Sequence, residues 1–533
     1  MARKNRNNPL NYLRISTGIM LLVLLLFPVY SIHTQTTFNE RFVVSELSLR
    51  GGVKELNGSL NVIALGLNES NFLTCSILLN SQGTINESIC YGYDESLPSG
   101  LFISKEGVSE IEDVQICTGS FIFPDSLSGG WYMIIDELGN IEREKRYVSP
   151  MYSEELGSLS AVSVRYDSIL LADGSVYLCY ASAPNFEETQ VDAGVICFDE
   201  NDEMVWEKQW VTENIERPNA ITYHEEKLYV IIEEHPTNLL ADNIIYLYQV
   251  HPDTGETEGE WNEPWGFNFT EAKEMISVEG GIVIVGSALQ EPGELTDGCI
   301  LKVDANGEEL WHTIIENPDT TYRRFFTEVV QTTDGDYVAA GEWKYRLPEF
   351  SEENGNFNDD GWLVKFDAQT GDIIWDRKYH YIEDTNDKHE IYDLTACSDG
   401  GVAFVGEALD LTINDDTEYE YPLQQGWVVK VDEYGCVVPG CQDINVSELN
   451  SEKTYFKAGP NPLAQGQNLH IYLGSEAIGT FILRDSQGKE IKFFPAQSKN
   501  TTYTWELDIS SGSYMLLLID GNKVLQSQKI IIE

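Results

Sequence analysis

The feature that most limits how this chain can fold is an internal repeat. A short apolar strand ending in Asp, a Gly turn and a second apolar run recur along most of the sequence. Three late copies show it best: 297–312 (DGCILKVDANGEELWH), 360–376 (DGWLVKFDAQTGDIIWD) and 425–441 (QGWVVKVDEYGCVVPGC). The anchor positions are Asn80, Asp136, Asp199, His251, Asp304, Asp367 and Asp432, about 50 to 65 residues apart. Ahead of the anchors lies a second short element after a turn, as in 334–341 (DGDYVAAG) and 399–406 (DGGVAFVG). Neither element has helical periodicity; both are rich in β-branched and small residues. Seven such units of about four strands each predict an all-β chain built as a seven-bladed β-propeller. A single four-stranded sheet cannot bury both of its faces, but neighbouring blades can do so for one another.

The repeat also predicts how blades pack. The second element reads as the inner strand, with Gly286, Gly341 and Gly406 fitting a crowded axis. Trp206, Trp261, Trp311 and Trp375 share one outer position, and Trp131, Trp362 and Trp427 another. Recurrence at equivalent sites points to packing between blades. The last copy is broken by Pro439 and Gly440, so the stretch 36–44 (TTFNERFVV) is expected to supply its outermost strand.

Composition narrows the setting. The 533 residues carry 34 Lys plus Arg against 87 Asp plus Glu, a formal charge of −53. Phosphate recognition needs a basic surface, so a nucleic-acid partner is excluded. Disorder does not fit a chain that is 42% hydrophobic and 11% aromatic. Residues 1–31 read as a signal peptide: Arg3, Lys4, Arg6 and Arg14 precede the apolar run 18–27, which is too short to span a bilayer. No other transmembrane segment is expected. Of nine cysteines, Cys436 and Cys441 bracket a Pro-Gly turn, and Cys75 and Cys90 flank the Gln82-Gly83 turn. These are the two candidate disulfides in an oxidising compartment; the other five read as small buried hydrophobes.

A polar linker, 442–453, separates the propeller (32–441) from a different unit, 454–533. Its alternating strands and its Ser486-Gln487-Gly488 and Asp520-Gly521-Asn522 turns predict a small antiparallel β-sandwich. The motifs follow a distinctive order: Pro460-Asn461-Pro462, then Arg484-Asp485-Ser486-Gln487-Gly488, Leu507-Asp508-Ile509, Gly512-Ser513-Tyr514 and a final run from Lys529. This stretch resembles the type A C-terminal sorting domain of type IX secretion cargo. The resemblance implies the type IX secretion machinery as a partner. It also implies that the protein is secreted or attached to the outer surface of the outer membrane. The strand-turn run 366–376 is similar to the repeat of pyrroloquinoline-quinone-type propellers. Those dehydrogenases usually have a vicinal cysteine pair, and no two cysteines are adjacent here. The resemblance therefore bears on fold, and no cofactor is expected from it.

Catalytic motifs are scarce. There is no HExxH, nucleophile elbow, Walker loop or dinucleotide GxGxxG. The best metal candidate is Asn356, Asn358, Asp360 and Asp367, which approximates a DxDxDG calcium loop with oxygen ligands at alternate positions; the acidic loop from Asn414-Asp415-Asp416 to Tyr421 is a second. The expectation is a recognition, adhesion or scaffold protein without a catalytic step, binding an extracellular glycan or protein through long loops. The alternative is a secreted propeller enzyme acting on polysaccharide or dependent on a quinone.

Overall fold

The structure is a computed structural model. It describes residues 37–42, 47–56, 58–68, 71–91, 100–109, 111, 114–122, 128–137, 139–147, 161–163, 167–183, 191–212, 214–236, 243–262, 265, 268–289, 296–315, 322–346, 357–381, 387–410, 426–437, 456–459, 463, 468–473, 479–485, 489–496, 501–507, 509–520 and 523–532. The expected signal peptide and linker lie outside these residues. All regular structure among them is β-strand, arranged as propeller-like blades.

Strand β1 (Phe38–Phe42) precedes the blades. The first blade is β2 (Leu47–Leu56), β3 (Ser59–Asn68), β4 (Asn71–Leu79) and β5 (Ile85–Tyr91). Next come β6 (Gly100–Ser109), β7 (Val114–Ile122), β8 (Ser128–Asp136) and β9 (Ile141–Tyr147). The short β10 (Ala161–Ser163) and β11 (Ser168–Leu170) lead into β12 (Val176–Ala183), β13 (Asp192–Phe198) and β14 (Met204–Trp210). Then follow β15 (Ile215–His224), β16 (Lys227–His235), β17 (Ile244–Val250) and β18 (Thr257–Asn262). After them come β19 (Asn268–Val278), β20 (Gly281–Leu289), β21 (Asp297–Val303) and β22 (Glu309–Ile314). The next blade holds β23 (Tyr322–Gln331), β24 (Tyr337–Arg346), β25 (Phe357–Phe366) and β26 (Ile373–Tyr379). The last has β27 (Asp387–Ala396), β28 (Val402–Asp410) and β29 (Gly426–Val431). Each blade is an antiparallel meander, and β1 adds to the last one by pairing antiparallel with β29, Phe38 opposite Lys430 and Phe42 opposite Gly426.

The first strand of each blade, not the second, lies innermost, which corrects the reading of the repeat. β2 contacts β6, β6 contacts β11, and so on through β15, β19, β23 and β27, which returns to β2. These strands escaped the repeat pattern because bulges break their period-2 alternation, as at Ala272/Glu274, Phe326/Glu328 and Ile391/Asp393. The bulges also explain the second-strand glycines. A Cβ on Gly341 would lie 2.0 Å from the Phe325 carbonyl oxygen, and one on Gly406 1.9 Å from that of Glu390. No side chain fits there without moving backbone.

Apolar clusters tie neighbouring blades together. One joins β15–β17 to β19–β21, another β19–β21 to β23–β25, and another β23–β26 to β27–β29. A further cluster unites Val53, Val62 and Ile77 of the first blade with Ala403, Val405 and Val428 of the last, and includes Phe38 of β1. The outer tryptophans seat on the next blade's turn glycine. A Cβ on Gly255 would meet Trp206 at 2.6 Å, on Gly307 Trp261 at 2.5 Å, and on Gly371 Trp311 at 2.5 Å. Phe38 takes the same role against Gly83, at 2.6 Å. Trp131, Trp362 and Trp427 are fully buried, each opposite a second-strand glycine. The Trp427 indole N–H donates to Asn39 Oδ1 of β1 at 2.7 Å.

The C-terminal unit has two antiparallel sheets. One contains β30 (Phe456–Gly459), β31 (Asn468–Leu473) and β34 (Thr501–Glu506). The other contains β32 (Gly479–Asp485), β33 (Glu490–Ala496), β35 (Gly512–Asp520) and β36 (Lys523–Ile532). Leu469, Ile471 and Leu473 from the first and Phe481, Leu516, Leu518 and Ile530 from the second share one core. Two glutamines stitch the sheets together. Gln526 and Gln528 each accept from and donate to the backbone of β30, at Phe456 and Ala458, over 2.8–2.9 Å.

Candidate functional site

The anchor residues of the repeat are turn supports. Asp304 Oδ1 accepts the amides of Asn306 and Glu308 at 2.8 and 3.0 Å; Asp199 does the same for Asn201 and Glu203, and Asp432 for Tyr434 and Cys436. Asn80 substitutes with its amide oxygen and His251 with Nδ1. The acids of the repeat are therefore occupied by local backbone, and most of them are not free for a ligand.

The calcium motif does not converge. Asn356, like the second candidate loop 414–421, lies outside the described residues. Asn358 and Asp360 lie on β25, a continuous strand rather than a loop, and Asp367 follows its far end. Asp360 and Asp367 are seven residues apart, about 23 Å along an extended chain at roughly 3.3 Å per residue. Asp367 Oδ1 instead accepts the amides of Gln369 and Thr370, which holds its carboxyl below the usual range. The spacing that suits a loop cannot place four ligands around one ion when the segment is a strand.

The structure does gather acids, on the other side of that strand. Neighbouring residues on a strand project to opposite faces, and the motif passed over Asp359. Asp359 of β25, Glu342 of β24 and Glu390 of β27 bring carboxylate oxygens within 4.8 Å of one another. Lys344 reaches in, its Nζ 2.8 Å from Glu342 Oε2 and 3.6 Å from Asp359 Oδ2. Glu390 is paired with Lys388 and accepts from Tyr392 at 2.8 Å. Burial pushes Glu342 up to about 7, against the pull of Lys344, and Asp359 up to about 6 for the same reason. Glu390 is held low: the Lys388 ammonium outweighs the cost of burial. His389 is fully buried beside the cluster, with Nδ1 3.1 Å from the Asp359 carbonyl oxygen and Nε2 accepting the Tyr381 amide at 3.0 Å. Three residues far apart in sequence make this group, so no linear motif announces it.

The same junction recurs between other blades. Near the start of a blade's third strand, backbone meets the first strand of the next blade. The Glu216 amide donates to Val191 O at 2.7 Å, the Arg324 amide to Thr296 O at 3.0 Å, and Asp359 pairs in parallel with Lys388. The side chains seated there differ. Glu216 is 2% exposed and faces Asp192 and Glu234; Thr212 donates to its Oε1, while Oε2 has no hydrogen-bond partner among the described residues. Burial, then those two acids, push it up to about 8. Arg324 is 3% exposed, with Nε 4.0 Å from Asp297 Oδ1 and its guanidinium 4.0 Å from the Trp343 ring centroid. Lys378 covers the same ring at 3.3 Å.

Other expected residues fall as follows. Cys75 is disulfide-bonded and stands opposite Cys90 in the β4–β5 register. Cys436 is disulfide-bonded as well; Cys441 lies outside the described residues. Cys117, Cys179, Cys197, Cys299 and Cys397 are buried and not disulfide-bonded. Of the sorting motif, Pro460, Asn461, Pro462 and Gly488 lie outside the described residues. Asp485 ends β32, opposite Tyr514 of β35. Gly512 opens β35, opposite Ile532, and Tyr514 donates its hydroxyl to Ser510 O at 2.8 Å. Lys529 is exposed on β36.

No protein-family model matches the chain, and no curated protein does. Among solved structures, similarity is distant. The subtype N10 neuraminidase-like protein of A/little yellow-shouldered bat/Guatemala is 10% identical, with a TM-score of 0.36, covering 64% of this chain and 96% of that one. Chaetomium thermophilum Sqt1 bound to the N-terminus of ribosomal protein L10 is 9% identical, with a TM-score of 0.36, covering 73% and 98%. A protein of unknown function from Bacteroides caccae is 13% identical, with a TM-score of 0.24, covering 57% and 89%. At these scores none informs the chemistry of this chain.

Proposed function

We propose that this chain is a secreted or surface-attached recognition, adhesion or scaffold protein, exported by the type IX secretion system, with no catalytic step. Its body is read as a seven-bladed β-propeller closed by β1, followed by a β-sandwich sorting domain. The ring reading draws on the cycle of first-strand contacts from β2 round to β27, and on the apolar cluster shared by the first and last blades. The export reading draws on one observation above all: residues 456–532 carry the ordered sorting motifs and pack around a core of their own. A self-contained core is what a detachable address domain requires.

Binding is assigned to one edge of the blades. Five of the connections that join a second strand to a third are long: 184–191, 236–243, 290–296, 347–356 and 411–425. In a propeller, connections of this class belong to one face, and variable surface connections are where binding is usually carried. Their mix of acids, amides and aromatics suits a glycan or protein ligand in the extracellular space.

Export is tested by deleting residues 454–533 and following the remainder by cell fractionation and by protease treatment of intact cells. The truncated protein is expected to remain in the periplasm, protected from protease. Undiminished surface display or release would overturn the reading.

A further inference from the structure

We propose that Glu342, Asp359 and Glu390 form a calcium site at the junction between the β23–β26 and β27–β29 blades, with Lys344 as the cation that occupies it in the metal-free protein. Two independent observations carry this. The first is geometric. Three carboxylates on three strands offer oxygens within 4.8 Å of one another. A calcium ion with oxygens at about 2.3–2.6 Å can bridge atoms that far apart. The second is an unanswered acceptor. Asp359 is 4% exposed, yet its Oδ1 has no hydrogen-bond partner among the described residues. A buried carboxylate oxygen left without a donor is costly, and a cation satisfies it directly.

The donor set selects the ion. All three side chains are hard oxygen ligands. The one nearby imidazole, His389, has both ring nitrogens directed to backbone partners. Among the described residues no thiol or further imidazole joins the group, so a hard cation is favoured over zinc or copper. Magnesium holds its waters in a strict octahedron and suits a fixed three-carboxylate cage less well.

Lys344 explains how such a site persists without metal. Its ammonium lies beside both Glu342 and Asp359, where positive charge is needed. Its side chain is still 26% exposed, so it reaches in from solvent and can leave the same way. Calcium and Lys344 would therefore compete for the same carboxylates. Lys388 and Tyr392 already serve Glu390, which makes Glu342 and Asp359 the stronger ligands and Glu390 the third.

The experiment is isothermal titration of the chelator-treated full chain with calcium chloride, with magnesium chloride in parallel, and with melting temperature as a second readout. One calcium site is expected, with a rise in melting temperature and a weaker response to magnesium. Lys344→Met should bind calcium at least tenfold more tightly, because the competing ammonium is gone. Asp359→Asn should abolish binding, whereas Asp360→Asn, altered on the opposite face of the same strand, should bind as the wild type does. If Asp359→Asn fails to fold, the wild type and Lys344→Met still decide. No heat and no thermal shift in either of those two proteins would overturn the site. So would undiminished binding by folded Asp359→Asn.

Discussion

Two junctions between blades share a backbone and an Asp at the start of the third strand, and differ in the charge set against it. At one, the Glu216 amide meets Val191 O and the charged side chains that meet there are acids: Asp192, Glu216 and Glu234. At the other, the Arg324 amide meets Thr296 O, and a buried guanidinium faces Asp297 between aromatic rings. The repeat fixes where chain meets chain, because main-chain hydrogen bonds do not depend on side-chain identity. It leaves the seat free to hold an acid pair, an ion pair or a caged lysine. The difference shows up in protons. The acid seat gains by binding one; the arginine seat already sets a cation against its acid.

Removing the arginine is the largest way to break the comparison. Arg324→Met leaves Asp297 buried with its guanidinium gone and strips a cation from Trp343. Loss of one partner from a buried pair costs about 3–5 kcal/mol. The expected result is a lower denaturation midpoint in urea, by nearly the same amount at pH 6 and pH 9. A loss confined to one pH would show that the seat titrates and that the two junctions are alike.

Glu216→Gln should act in the opposite direction. Its folded pKa is raised from 4.5 to about 8, so the folded protein holds a proton that the unfolded chain has released. The stability linked to that proton is complete below about pH 4.5, declines as the pH rises, and is gone above about 8. Glutamine keeps the shape and needs no proton. The variant should match the wild type at pH 4.5 and exceed it by roughly 2–3 kcal/mol at pH 9. Equal pH profiles for the two proteins would remove the proton from the account.

What the sequence disclosed follows from this division. Asp304, Asp367 and the outer tryptophans recur because every copy has the same turn to support and the same neighbouring glycine to cover. They are visible at a fixed period. The first strands were invisible because their bulges destroy alternation and their seats carry unrelated residues: Glu216 in one, Arg324 in another, Glu390 in a third. Asp359 was missed for a related reason. The run from Asn356 to Asp360 was read with the spacing of a loop, whereas a strand sends Asp359 and Asp360 to opposite faces. The candidate site joins three strands of two blades, and only the folded register brings Glu342, Asp359 and Glu390 together.

The smallest effect belongs to the turn anchors, and it completes the contrast. Burial tends to raise the Asp304 carboxyl, but the Glu308 and Asn306 amides outweigh that and hold it below its usual value. Its contribution is therefore present above the unfolded carboxylate pKa and lost as the pH falls through the lower folded value, the reverse of Glu216. Asp304→Ala should cost about 1 kcal/mol at pH 7, the net value of the turn hydrogen bonds it deletes. Asp304→Asn should recover most of that, since Asn80 already supports the same turn with an amide oxygen. The difference between Asp304→Ala and wild type should shrink as the pH falls below the unfolded carboxylate pKa and through the lower folded value. A deficit for Asp304→Asn as large as that for alanine would mean that the charge, and not the acceptor, holds the turn. Asn80 and His251 would then need a separate explanation.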